Sequence, residues 1–169
     1  MAYALLFLRV VVGLTLFAHG AQKLFGWWEG PGQAGTRGWL HSMGFRLPAV
    51  MALLVGLGEG SGLLFALGLV TPLAALVMAT AMVVAIGSVH LPKGWWLSKG
   101  GYEYNLVLWA VAVAVAGTGP GRFSIDRAIG WDDNISGVWW GVGALALSLL
   151  TGLFILTALR KQPAPQEAA

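Results

Sequence analysis

The chain contains no cysteine. That removes disulfides, thiol redox chemistry, cysteine-ligated iron–sulfur clusters and covalent c-type haem in one step. Charge is scarce as well. Only 10% of the 169 residues are Asp, Glu, Lys or Arg, against about 25% in an average soluble domain. So few charges cannot cover a surface that faces water. No Gly-rich phosphate loop, dinucleotide fingerprint, HExxH pair or nucleophile elbow occurs. The pI is near 9.6, but the lysines and arginines are scattered among loops, so no nucleic-acid partner is expected. What abounds is apolar: 57% of residues are hydrophobic and 9 are Trp, with a mean hydropathy of +0.75. An integral membrane protein follows, with lipid as its surroundings and Trp as interfacial anchors.

Five apolar runs, bounded by Gly, Pro and polar residues, predict helices over 4–25, 48–69, 72–90, 102–117 and 137–159. The first run lacks a basic n-region, carries Arg9 inside it and outlasts a signal-peptide core, so it reads as a retained helix. Residues 26–47 form an interfacial loop in which Thr36 is expected to cap a short helix through Ser42, with Trp39 toward the membrane. Thr71-Pro72 makes a tight reversal, 117–134 is a polar loop outside the membrane, and 161–169 is a disordered tail. Five crossings put Arg37, Arg46, Lys93, Lys99, Arg160 and Lys161 at one end and Arg122 and Arg127 at the other. The positive-inside rule then expects the plasma membrane to hold the chain with its N-terminus outside and its C-terminus in the cytoplasm.

Polar residues inside the runs carry the functional reading. At about 100° per residue, Arg9, Thr15, His19, Gln22 and Lys23 share one arc of about 140° on the first helix. The second run contains GLGEGSG, 56–62. Its small-xxx-small pairs allow close helix packing, within the chain or between two copies as a homodimer. Glu59 lies among them, about 16 Å from the start of its helix. A charged carboxylate there costs at least ~2.5–3.5 kcal/mol, so it needs a partner, a proton or a water cavity. Arg9 is expected to snorkel or to reach Glu59. His19, Gln22, Lys23, His90, Glu103 and Tyr104 lie toward the same end as each other and converge with Glu59 on one cavity. Each also has a plain role: a hydrogen-bonded His, a snorkelling Lys, a Glu in a first helical turn.

The chemistry such a cavity suits is proton-coupled, because imidazole titrates near neutrality and burial raises a carboxyl toward that range. A quinone head group needs hydrogen-bond donors for its carbonyls and protons on reduction. His19, Lys23 and Glu59 would supply both, with Gln22, His90, Glu103 and Tyr104 around the cofactor. A metal held by His19, His90, Glu59 and Glu103 is the alternative, without any compact ligand spacing to support it.

The segments LRVVVGLTLFAHGAQKLFGWW (8–28), GLGEGSGLLFALGLVTPLAA (56–75), AIGSVHLPKGWW (85–96) and GGYEYNLVLWAVAVAVAGTGPGRFSID (100–126) resemble the DoxX family of small bacterial and archaeal membrane proteins. The resemblance implies a four-helix membrane core over 1–127. It also implies a link to quinone-linked oxidation or to membrane oxidative-stress complexes, with redox partner proteins in trans. Residues 128–160 then add a loop and a fifth transmembrane helix. A non-catalytic scaffold or small-molecule carrier is the competing reading.

Overall fold

The computed structural model describes residues 2–161; the expected disordered tail lies, from 162 onward, outside the described residues. Its elements are α1 (Ala2–Phe25), α2 (Gly32–Ser42), α3 (Pro48–Gly60), α4 (Gly62–Leu67), α5 (Thr71–Ala85), α6 (Glu103–Thr118), α7 (Ile125–Ala128) and α8 (Val138–Ala158). No strand occurs among the described residues. The fold is an all-α bundle, and each of the five apolar runs is helical. Ala2–Phe25, Pro48–Leu67, Thr71–Lys93 and Val138–Ala158 are long and apolar enough to cross a membrane; Glu103–Thr118 is a shorter apolar helix.

Local chemistry explains the boundaries. Pro48 opens α3, where a missing N–H costs nothing. The second run divides at Ser61, whose hydroxyl donates to the Gly58 carbonyl at 2.7 Å. A serine among glycines loosens the helical ladder at that point. α5 does not stop at Ala85 but widens into a π-turn, Ile86–His90. Such turns add a residue to the helix and re-aim the side chains that follow.

α5 is the hub, packed on α6 and α8 and also on α3 and α4, while α1 lies against α3 and α4. Leu16, Phe65, Met78 and Val115, from four different helices, meet in the main core, each almost fully buried. The α1 contact is made backbone to backbone. A Cβ placed on Gly20 would meet Gly56 O and Gly60 Cα, both at 2.7 Å, and one on Gly13 would meet Ala66 at 2.8 Å. Gly58 faces Ala81 of α5. The glycine faces that the sequence offers for a homodimer are therefore occupied within the chain.

Arg9 departs from expectation. It neither snorkels nor approaches Glu59. It is 1% exposed and donates to the Pro120 carbonyl and, at 2.5 Å, to the Phe123 carbonyl. The 117–134 segment is thereby folded back onto the bundle. Asp126 completes the docking: fully buried, it accepts from Val70 N–H (2.7 Å), Thr71 N–H (2.9 Å) and the Thr71 hydroxyl (2.7 Å). A carboxylate thus caps the start of α5, where the helix dipole favours it. It also holds β-branched Val70 at φ 44°, a conformation such residues seldom adopt. At the rim of this segment Asp132 hydrogen-bonds Arg127 and holds its guanidinium above the ordinary value.

The opposite end is closed by the chain's last described residues. Arg46 N–H donates to Leu159 O at 2.8 Å, and Lys161 N–H to Gly44 O at 2.9 Å. The Arg160 side chain donates to Met43 O at 3.1 Å. The loop after α2 and the end of α8 therefore share one end of the bundle. Thr36 is also placed differently from expectation. α2 begins earlier, at Gly32, and Thr36 is buried inside it, with its hydroxyl 3.4 Å from the Lys23 carbonyl.

Candidate functional site

At that end α1, α2, α3, α5 and α6 enclose a cavity of about 350 Å³. Its charged centre is an ion pair. Lys23, near the end of α1, donates to both carboxylate oxygens of Glu59 on α3. The Glu59 side chain is 7% exposed and that of Lys23 21%. Gly20, Gly56 and Gly60 bring the two helices close enough for the pair to form. Taking both charges out of water is costly, and their mutual attraction offsets that only when the geometry and the remaining hydrogen bonds are good.

Of the residues proposed from sequence, His19, Lys23, Glu59, His90 and Tyr104 all line this cavity. Gln22 and Glu103 do not. The Gln22 backbone packs against Gly30 beneath the turn that follows α1. Glu103 accepts from Leu97 N–H at 2.6 Å and fastens the 91–101 loop to the start of α6. The interaction engages Glu103 with its own loop, whereas the sequence reading expects it around a cofactor. The alternative metal set is not assembled as a ligand cluster: among the described residues no three of His, Asp and Glu stand close enough together to hold a metal ion.

His90 is oriented by its loop. Its Nδ1 lies 2.7 Å from Gly100 O. A carbonyl only accepts, so Nδ1 carries a proton and Nε2 is the ring nitrogen left for other partners. The π-turn places His90 and Ser88 on the cavity wall together. His19 is exposed and also lines the cavity. Asn105 lies where the polar start of the fourth run, Glu103-Tyr104-Asn105, is expected to meet the cavity, whereas Ser88 and the α2 roof escaped sequence reasoning. Asn105, next to Tyr104, lies in the wall and donates to Met82 Sδ at 3.6 Å. Ser88 enters through a π-turn that has no periodic signature. Trp39, Leu40 and Met43 of the α2 region form a roof; Trp39 remains 43% exposed, so it serves cavity and outer surface together. The remaining wall is apolar, with Leu16, Met82 and Leu108 prominent. The site is a small, mostly apolar chamber with a few convergent polar groups, the usual character of a ligand pocket.

An all-α bundle with several membrane-length apolar helices and a charged pair in its interior is a multi-pass integral membrane protein. The DoxX family model matches residues 4–91, more than half of the chain, and the protein belongs to the DoxX family. The matched stretch runs from α1 through the π-turn and ends before α6. It contains His19, Lys23, Glu59 and His90 but not Tyr104. Comparison with curated proteins and with solved structures finds no match.

Proposed function

We propose that this protein is the membrane subunit of a quinone-linked oxidoreductase and that the cavity receives the quinone head group. The observation that carries the reading is the Lys23–Glu59 pair, set in the wall of an apolar chamber with His19, His90 and Tyr104. Buried intramembrane charge is costly and marks functional sites by default. The chamber's volume lies within the range of ligand pockets, at its small end.

Reduction of a quinone to a quinol takes two electrons and two protons. The electrons come from a redox partner protein, since the chain has no cysteine-ligated centre. The protons are the task of this chain. Lys23 donates a hydrogen bond to one quinone carbonyl and favours the negative charge that develops there. Glu59 relays protons to the same oxygen. Exposed His19 links the pair to water, and His90 takes a proton from water at Nε2 and passes it to the second carbonyl oxygen. The lysines and arginines at the cavity end favour a cytoplasmic opening, with the protein in the plasma membrane.

Titration with a tailless dimethoxybenzoquinone, read as the part of the tryptophan quenching that Trp39→Phe removes, tests this directly. Wild-type protein should show saturable quenching. Glu59→Gln, which loses the charge but keeps the shape and, unlike a leucine, an oxygen for Lys23 to donate to, should bind at least about tenfold more weakly and remain folded. Unchanged binding in Glu59→Gln contradicts the role given to the pair. Loss of folded protein favours the competing scaffold reading.

A further inference from the structure

A second hollow of about 310 Å³ lies on the other side of α3 and α5, and α8 forms its outer wall. Leu54 of α3, Leu76 and Thr80 of α5, and Thr151 and Ile155 of α8 line it. It is mostly apolar: Thr80 and Thr151 are the polar side chains of its lining, and the Thr80 hydroxyl is spent on the Leu76 carbonyl at 2.9 Å. Leu54 is 49% exposed, so the hollow opens on the surface that faces hydrocarbon.

Three residues, Val55, Ala81 and Val84, line both this groove and the polar chamber. The partition between them is one side chain thick. It is also made of small groups: a Cβ built on Gly58 would lie 3.4 Å from the Ala81 methyl. At that level α3 and α5 have little but a glycine and an alanine between them. Val55, Ala81 and Val84 are the side chains that stand between the two spaces.

We infer that the chamber and the groove are one site for a head-and-tail lipophile. The polar head sits at Lys23–Glu59, and an apolar tail leaves between α3 and α5, past Val55 and Ala81, into the groove beneath α8. The inference rests on the head-group reading above and specifies it: the ligand is a long-tailed, membrane-dissolved quinone that enters from the side. It also gives the fifth helix a task. α8 lies beyond the family-matched stretch, and its Thr151 and Ile155 make the groove a channel instead of an open face.

The test uses the full chain in lipid nanodiscs and two probes: the tailless dimethoxybenzoquinone, and a benzoquinone whose decyl tail ends in a photoreactive diazirine. After illumination, labelled peptides are mapped by mass spectrometry. Labelling should fall on Leu76–Thr80 and Thr151–Ile155. It should drop about tenfold when tailless quinone is added at ten times its Kd, because the head is displaced. Thr151→Phe, a change at an exposed α8 position, should lower groove labelling similarly and leave tailless binding unchanged. Groove labelling that the tailless compound does not compete overturns the tail path alone, since the tail then arrives from bulk lipid. Failure of the tailless compound to bind at all overturns the head-group reading and the tail path with it.

Discussion

Glu59→Leu should accumulate poorly and melt well below the wild type, whereas Lys23→Met/Glu59→Leu should accumulate and melt like the wild type. The single change leaves the Lys23 ammonium facing an apolar chamber without its carboxylate. Removing one partner of a buried pair costs about 3–5 kcal/mol. Lys23 is 21% exposed and can bend toward the interface, so about 3 kcal/mol or somewhat less is expected. The double change removes both charges and fills the space with apolar groups of similar size, which is often neutral or stabilising. Circular dichroism melts in one detergent, with the single, the double and the wild type side by side, check this. Equal melting of all three would mean that the pair carries no stability. The double variant also separates the two classes of function. If the pair only staples α1 to α3, the folded double variant keeps full cellular activity. If it serves a ligand, the double variant folds and is inactive.

Gly20→Leu should be as damaging, for a different reason. The new Cβ would lie 2.7 Å from Gly56 O and Gly60 Cα. Those are backbone atoms of the last turn of α3, so they cannot turn aside as a side-chain tip could. α1 must move away from α3, and that motion also separates Lys23 from Glu59. Overpacking of a core costs about 1–3 kcal/mol when side chains can adjust; here the upper end or beyond is expected. Gly143→Leu provides the control, since nothing lies within 4 Å of a Cβ at that position. It should melt within about the ±0.5 kcal/mol typical of surface substitutions. Size-exclusion profiles and melts of the two variants decide the point. A monodisperse, fully stable Gly20→Leu protein would show that α1 and α3 do not pack through their glycines.

Much of this architecture was legible because a membrane helix must satisfy its backbone internally and be apolar over its length. Those demands write themselves as long runs broken by Gly, Pro and polar loops. The gathering of His19, Lys23, Glu59, His90 and Tyr104 at one chamber was legible too, because the alternation of crossings fixes which helix ends are neighbours. The pairings were not. Arg9 finds its partners in the carbonyls of Pro120 and Phe123, and nothing periodic in a loop announces a carbonyl. Asp126 caps a helix that starts 55 residues before it, which no local capping pattern can reveal. Glu103 looked like a ligand because a carboxylate at a helix start has two uses, and only the loop conformation shows that Leu97 N–H takes it. The glycines read correctly as close-packing positions, yet their partner, α1 or a second copy, depended on the tertiary arrangement.

The most direct measurement is to purify the protein in mild detergent, extract its bound lipophiles and record optical spectra before and after chemical reduction. A long-tailed quinone close to one per chain, with the matching bleaching on reduction, is the expected result. It should be lost in the folded Lys23→Met/Glu59→Leu protein. A folded wild-type protein that carries no quinone and does not bind one when it is added back would contradict the account and leave the chamber's charged pair as a staple between α1 and α3.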